Sequence, residues 1–277
     1  MLYSCRSEID HIKEIVEKVH ATIPPKPLLS GADLVGLEHH IDEVKSLLNG
    51  TDHTVCMLGI YGLGGIGKTE LATSLYNKIV HQFEAASFLA NVREKSSKIN
   101  GMEDLQKTLL SEMFVKPETE LGSTEKGREE IKQRLSKKKV LLVLDDVNDI
   151  NQLKNLAGGS DWFGPGSRII ITTRDKGLLV GTHSFVVVVQ NIYEMTELND
   201  QHSLELFCRY AFGKSHPETG FEAMSSRAVG YAKGLPLALK VIGSNLATRK
   251  TIRAWEHALK DYERTLLKRI QDMLKVS

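Results

Sequence analysis

The sequence of 277 residues lacks the features of metal-binding, secreted and membrane-spanning proteins. Its only three cysteines, Cys5, Cys56 and Cys208, are too far apart for the spacing of a metal site. Cys56 lies in a predicted strand and Cys208 on the apolar stripe of a predicted helix, so we expect both to be buried, reduced thiols. The N-terminus has no long apolar segment of a signal peptide, and no run of about 18 apolar residues predicts a membrane span.

An excess of charge of either sign is also missing. The 36 basic and 35 acidic residues leave a formal net charge of +1, which predicts neither a nucleic-acid-binding surface nor a disordered tail. Hydrophobic residues make up 41% of the chain, and its length suffices for one large α/β domain and a smaller one. We therefore expect a globular cytoplasmic protein, with the nucleus as an alternative location.

The most informative stretch has the spacing G-x-x-x-x-G-K-T and runs from Gly62 to Thr69. A strand-like run, Val55–Tyr61, precedes it, and a helical pattern follows it, as in a phosphate-binding loop. The helix N-terminus and the backbone N–H groups would face phosphate oxygens, Lys68 would reach the β- and γ-phosphates, and Thr69 would hold Mg²⁺. We expect Lys68 to be solvent-facing and the loop to depend on four glycines: Gly62, Gly64, Gly65 and Gly67.

A glycine-rich turn without a ligand is the alternative interpretation of this spacing. The bare pattern should occur by chance in about one chain in a hundred of this size. The strand before it and the helix after it favour a nucleoside triphosphate site.

Four further strands are predicted, and they alternate with helical segments: Ser87–Val92, Val140–Leu144, Arg168–Thr172 and Phe185–Val189. This alternation predicts an α/β fold, a P-loop NTPase with a five-stranded parallel sheet flanked by helices. From about Asn191 the strand patterns stop, and four helical patterns predict a small all-α bundle, whose third helix Pro236 can begin.

Two acidic residues follow the predicted strand Val140–Leu144. Asp145 would coordinate Mg²⁺ at the carboxyl edge of the sheet, and Asp146 could orient or activate the attacking water. The alternative is a pair of solvated turn carboxylates. Arg174 ends another strand at this edge, where it can contact a γ-phosphate. A surface salt bridge with Asp175 is its alternative role.

Four motifs in this order resemble the NB-ARC module of plant disease-resistance proteins: Gly62–Thr69, Leu141–Val147, Gly166–Asp175 and Gly234–Leu239. The last reads GLPLAL and lies in the predicted helical bundle. The run FLANVRE at 88–94, and the absence of Trp after the motif with Asp145, resemble the Toll/interleukin-receptor (TIR) class with leucine-rich repeats. Two residues depart from the usual pattern: Asn148 replaces an Asp, and Glu70 stands where Thr or Ser is more frequent. We expect Glu70 to face outward, stabilised by the helix dipole.

The resemblance implies an ATP/ADP switch of the apoptosome-like class of signalling ATPases (STAND), with Mg²⁺ as cofactor and at most slow hydrolysis. By the same resemblance, Val35 and Gly36 would flank the adenine, Pro236 would close over it, and Arg174 would sense the γ-phosphate. The switch would control defence signalling in an intracellular immune receptor of plants.

The expected organisation is an N-terminal helix with a Pro-rich linker (1–30), a nucleotide-binding domain (31–191), a helical bundle termed ARC1 (192–265) and the start of a winged-helix subdomain termed ARC2 (266–277). We therefore interpret the chain as truncated on both sides. Its implied partners are the TIR, winged-helix and leucine-rich-repeat domains of a full-length receptor, with oligomerisation on activation, no nucleic acid and no membrane span.

Two other functions are compatible with a phosphate-binding loop. A fast P-loop ATPase or kinase would need an acceptor pocket and a lid, where this sequence has a helical bundle with GLPLAL. A STAND-type transcription regulator would need a DNA-binding element, for which the net charge gives no support. Whether the chain is an enzyme is left open by the sequence.

Overall fold

The computed structural model describes residues 27–29, 34–48, 53–114, 122–180 and 189–263. Two compact units divide this part of the chain. The first contains a β-sheet and consists mainly of residues 53–61, 72–114, 122–180 and 189–193. The second contains the glycine-rich loop within 62–71, residues 34–43 and the helices after residue 194.

The sheet of the first unit has five strands: β1 (Cys56–Tyr61), β2 (Ala85–Leu89), β3 (Val140–Val147), β4 (Arg168–Thr173) and β5 (Asn191–Glu194). Their order in the sheet is β2-β3-β4-β1-β5. β2 pairs in parallel with β3, β3 with β4, and β4 with β1. The predicted α/β fold with a parallel sheet is confirmed.

Burial explains the composition of the two central strands. The side chains of Val140–Leu144 and of Ile169–Ile171 are all 0% exposed. Parallel strands covered on both faces need apolar side chains in both directions, which produces continuous apolar runs. β3 is longer than its apolar run, because it continues through Asp145 and Asp146 to Val147 with irregular pairing.

β2 is shifted from its predicted position, Ser87–Val92, to Ala85–Leu89. The strand ends early because Asn91 adopts a left-handed conformation with φ of 55° and a short helix begins at Val92. An asparagine tolerates this conformation better than most residues, so it can turn the chain between strand and helix.

Seven helices precede the last helical region within the described residues: α1 (Glu38–Leu48), α2 (Lys68–Ile79), α3 (Val92–Ser96), α4 (Gly101–Met113), α5 (Thr124–Leu135), α6 (Ile150–Leu156) and α7 (Gly177–Val180). The sequence did not indicate α3, α6 and α7, because helices of four to seven residues are too short to show a 3.6-residue period.

The second unit contains the predicted helices: α8 (Asp200–Phe212), α9 (Glu222–Ala232), α10 (Pro236–Ala247) and α11 (252–263). Aromatic side chains form its core around Trp255, which is 1% exposed. The ring of Phe212 stacks on Trp255 with centroids 5.3 Å apart, and the ring of Phe207 meets it edge-on at 6.0 Å. These contacts join α8 to α11, which explains why the apolar stripes of the two helices carry large rings.

Several predictions fall outside the described residues. These are the N-terminal helix and most of the Pro-rich linker within 1–26, residues 185–188 of the predicted fifth strand, and the start of the winged-helix subdomain at 266–277. The described fifth strand, Asn191–Glu194, lies just after that predicted range.

Candidate functional site

The loop Gly62–Thr69 begins directly after β1 and opens α2 at Lys68. Gly65 and Gly67 have φ values of 75° and 103°, a backbone conformation that side chains with a Cβ rarely adopt. Because α2 begins at Lys68, the N-terminal end of the helix, with its partial positive charge, lies within the loop itself. This is the backbone geometry that binds a phosphate group.

Lys68 does not face solvent, so that prediction is wrong. Its side chain is buried, and the Nζ donates hydrogen bonds of 2.9 Å to the carbonyl oxygens of Gly62 and Leu63. The ammonium is held by the loop because the chain curves back over the start of α2 and presents these carbonyls to it. The positive charge therefore stays within the loop in a defined position.

Thr69 and Glu70 follow Lys68 in the first turn of α2. Thr69 is exposed. Glu70 faces outward, as predicted: its side chain is 43% exposed, and Oε1 lies 3.9 Å from the Nζ of Lys240. The departure from Thr or Ser at this position therefore adds an ion pair on the surface of the second unit.

The residues expected around the adenine belong to the same unit as the loop. Gly36 has φ of 74°, and a Cβ there would lie 2.7 Å from Leu198 Cδ2 and 2.9 Å from His202 Nδ1. Val35 beside it is half-buried. Pro236 is the first residue of α10, where its fixed φ and missing N–H fit a helix start.

Two contacts of the loop with other parts of its unit were not predicted. The backbone N–H of Leu237, next to Pro236, donates to the carbonyl oxygen of Gly65 at 3.1 Å. Met195 packs against both ends of the loop. A Cβ atom on Gly62 would lie 3.0 Å from the carbonyl oxygen of Met195, and a Cβ atom on Gly67 would lie 3.2 Å from its Cε. No sequence pattern marks Met195, since it lies at the predicted boundary between the domains.

In the first unit, Asp145 lies on β3 and is 1% exposed. The Oγ1 of Thr172, on the neighbouring strand β4, donates to Asp145 Oδ1 at 2.7 Å. The same hydroxyl accepts a hydrogen bond of 2.8 Å from the backbone N–H of Asp146. Thr172 thus orients one acidic side chain and the backbone of the next, a role that its place in a strand does not indicate.

Asp146 has φ of 56°, an uncommon value for a residue with a side chain. Its carboxylate contacts two guanidinium groups: Oδ2 lies 3.0 Å from Arg93 Nε, and Oδ1 lies 3.7 Å from Arg174 Nε. Burial, and next the positive charge of Arg93, lower the pKa of Arg174, while the charge of Asp146 raises it. Arg174 therefore pairs with Asp146, whereas Asp175 accepts a hydrogen bond from the N–H of Gly177 at 2.7 Å.

Arg93 is a candidate functional residue that the sequence did not single out. It was noticed only as part of the run FLANVRE, and nothing in the sequence places this run beside Asp146. The second residue of α3 comes near the acidic pair because β2, which leads to α3, pairs with β3.

Asn148, the other departure from the usual pattern, has a structural role. Its Oδ1 accepts from Gln152 Nε2 at 2.9 Å, and its N–H donates to Gln152 Oε1 at the same distance. Asp149, next to it, caps the N-terminus of α6 together with Gln152. The polar groups of Asn148 thus help to order the turn between β3 and α6.

The described residues contain no group of three or more His, Cys, Asp or Glu side chains that could hold a metal ion. Among the described helices, none is long and apolar enough to cross a membrane. Cys56 and Cys208 are buried free thiols, as predicted.

Solved structures with a similar fold include Cdc6p from Pyrobaculum aerophilum, with 15% identity and a TM-score of 0.54 over 78% of this chain and 62% of that one. Drosophila ORC bound to DNA matches with 10% identity and a TM-score of 0.54, over 84% of this chain and 67% of that one. At these identities the likeness concerns the fold alone.

Curated relatives are plant disease-resistance proteins. "Disease resistance protein RUN1" from Vitis rotundifolia is 41% identical over 271 residues, and "TMV resistance protein N" from Nicotiana glutinosa is 38% identical over 279. Each match covers 98% of this chain but only 20% and 23% of the respective relative. A profile of the NB-ARC domain matches residues 37–216, which include the glycine-rich loop, the acidic pair and Arg174. As its motifs suggested, the chain belongs to the NB-ARC domain family of plant disease-resistance proteins.

Proposed function

We propose that this chain binds ATP and ADP with Mg²⁺ and acts as the nucleotide-dependent switch of a plant immune receptor of the TIR class. The observation that carries this proposal is the loop Gly62–Thr69. Its left-handed glycines, the start of α2 and the ammonium of Lys68 together form a site for an anion.

In this proposal the phosphates accept hydrogen bonds from the N–H groups of the loop. Lys68 is already held at the loop by two carbonyl oxygens, so little conformational entropy is lost when it contacts phosphate. Thr69 through its hydroxyl and Asp145 through its carboxylate, via water, would hold Mg²⁺, which neutralises charge on the β- and γ-phosphates.

Recognition of the base and of the γ-phosphate follows the family resemblance. Val35 and Gly36 would flank the adenine, Pro236 would close over it, and Arg174 would sense the γ-phosphate. Two features support this assignment: Pro236 begins the helix whose next N–H donates to the carbonyl oxygen of Gly65, and Arg174 lies at a long distance, 3.7 Å, from the carboxylate with which it pairs.

Slow hydrolysis fits a switch better than a metabolic enzyme. Asp146, the residue predicted to activate water, directs its two oxygens to Arg93 and Arg174. In this arrangement Oδ2 is engaged with the guanidinium of Arg93, and Oδ1 lies near the guanidinium of Arg174. We therefore expect conformational change, rather than rapid turnover, to be the output of the bound nucleotide.

The chain spans about a fifth of the length of the relatives quoted above, so the behaviour of a whole receptor is part of the proposal. In such a receptor, TIR, winged-helix and leucine-rich-repeat domains would be the intramolecular partners, and oligomerisation would follow activation. The expected location is the cytoplasm, with the nucleus as the alternative.

Calorimetric titration with ATP and with ADP, in the presence of Mg²⁺, tests nucleotide binding. Lys68→Ala removes at least one charge-assisted bond to phosphate, so both affinities should fall by about tenfold or more. Lys240→Ala is the matched control, because it removes a partly exposed lysine that pairs with Glu70; we expect its affinities to stay within about twofold of the wild type.

Two results would contradict the proposal. If Lys68→Ala folds, as judged by circular dichroism, and binds both nucleotides as well as the control does, the loop is not the phosphate site. If phosphate release under multiple turnover reaches the range of about 1–100 per second typical of kinases, the chain acts as an enzyme rather than as a switch.

A further inference from the structure

We propose that Arg93 is a positioning residue for Arg174: by engaging the Asp146 carboxylate, it allows Arg174 to leave that carboxylate for the γ-phosphate of ATP. This inference rests on the proposed function, because it concerns how the same chain distinguishes ATP from ADP. It assigns to Asp146 the role of a shared anion between two arginines.

The two contacts of Asp146 differ in length and use different oxygens. Arg93 Nε lies 3.0 Å from Oδ2, within hydrogen-bond distance, whereas Arg174 Nε lies 3.7 Å from Oδ1, beyond the range of a good hydrogen bond. The Arg93 contact is therefore the tighter one. Of the two contacts of Asp146, the one with Arg174 is the weaker.

The backbone of Asp146 is arranged to support this sharing. Its left-handed conformation is strained for a non-glycine residue, and the hydrogen bond from its N–H to Thr172 Oγ1 helps to impose it. Such strain persists only where the surrounding structure stabilises it. Here it directs the carboxylate at both arginines, with the side chain of Asp146 only 18% exposed.

Charge balance gives the mechanism. One carboxylate between two guanidinium groups leaves a net positive charge, which attracts a further anion such as a γ-phosphate. When Arg174 moves to the phosphate, Asp146 keeps Arg93 as its counter-ion, so a partly buried carboxylate is not left uncompensated. Without Arg93, release of Arg174 would carry that penalty, and Asp146 would retain Arg174.

The test is the ratio of the dissociation constants for ADP and ATP, measured by calorimetric titration of the 277-residue chain with Mg²⁺. Arg93→Ala should raise the dissociation constant for ATP about fivefold and change that for ADP by less than about twofold. The reason is that only ATP binding requires Arg174 to leave Asp146. Arg128→Ala, which removes an exposed arginine of α5, is the matched control and should change neither constant.

A second substitution separates positioning from other roles of Arg93. In Arg93→Ala/Asp146→Asn, the carboxylate that retains Arg174 is gone, so the preference for ATP should return to the wild-type value or exceed it. If Arg93 contacted the γ-phosphate itself, Asp146→Asn would not restore the preference. If Arg93 only supported the fold, both nucleotides would weaken together. Either of these results would overturn the proposal.

Failure of this inference differs from failure of the proposed function. If the chain binds neither nucleotide through Lys68, the nucleotide site itself is wrong. If both nucleotides bind and depend on Lys68, but Arg93→Ala leaves the ATP preference unchanged, only the positioning role is wrong.

Discussion

Thr172→Val is the substitution that most directly tests the arrangement of the acidic pair. The hydroxyl of Thr172 donates to Asp145 Oδ1 and accepts from the N–H of Asp146, and Thr172 is 1% exposed. Valine has nearly the same shape and suits a buried strand, so packing is preserved while both hydrogen bonds are lost. We expect a clear loss of stability from a change that volume and hydrophobicity alone would favour.

The size of the loss follows from the two bonds. A hydrogen bond to a charged group contributes about 1.5–3 kcal/mol, and an unsatisfied buried N–H costs about 1–3 kcal/mol. Both estimates belong near their lower ends, because Asp145 has a further interaction and Asp146 is partly exposed. The expected decrease in the free energy of unfolding is therefore about 2–3 kcal/mol.

Urea denaturation followed by tryptophan fluorescence can measure this decrease in the first unit alone. Trp162 lies in the first unit and Trp255 in the second, so a Trp255→Phe background leaves Trp162 as the reporter. The midpoint and slope of its transition give the free energy of unfolding for the parent and for Thr172→Val.

Thr172→Ser is the matched control. It keeps the hydroxyl and removes one methyl group, which should cost about 1 kcal/mol in a buried strand. The two hydrogen bonds therefore predict that stability decreases in the order threonine, serine, valine at position 172. If the valine variant is as stable as the serine variant or more stable, the hydroxyl does not hold the acidic pair.

Three further predictions concern nucleotide recognition and pH. Arg174→Ala should lower the affinity for ATP about tenfold and the affinity for ADP less than about twofold in calorimetry, since only ATP has a γ-phosphate. Equal losses of affinity for both nucleotides would contradict the role of Arg174 as a γ-phosphate sensor. Asp145→Asn should shrink the difference between ATP affinities measured with Mg²⁺ and with a chelator, and an unchanged difference would exclude Asp145 from the metal site. Burial raises the pKa of Cys208 from 9.0 to about 12, so between these two pH values only the unfolded state loses the thiol proton, and the free energy of unfolding falls by about 1.4 kcal/mol per pH unit. Cys208→Ala should show a smaller fall in urea denaturation at alkaline pH, and an identical fall in both proteins would refute the shift.

The fold class and the main motifs could be predicted from local sequence patterns. The apolar runs of β1, β3 and β4 are continuous because both faces of these strands are buried. A continuous apolar run can be recognised directly in the sequence. The loop Gly62–Thr69 was equally readable, because its glycines, lysine and threonine act through adjacent positions. Local chemistry of this kind needs no knowledge of the tertiary structure.

Contacts between residues that are distant in the sequence could not be predicted in this way. Arg93 and Arg174 share Asp146 because β2 and β4 lie on either side of β3, an order that no local pattern specifies. The same pairing of strands brings Thr172 to the acidic pair. The burial of Lys68 followed from the curvature of the loop, which presents carbonyl oxygens where solvent was expected. Local periodicity predicts which side chains are apolar, but partners across a sheet depend on strand order and register, and these are set by the packing of the whole sheet.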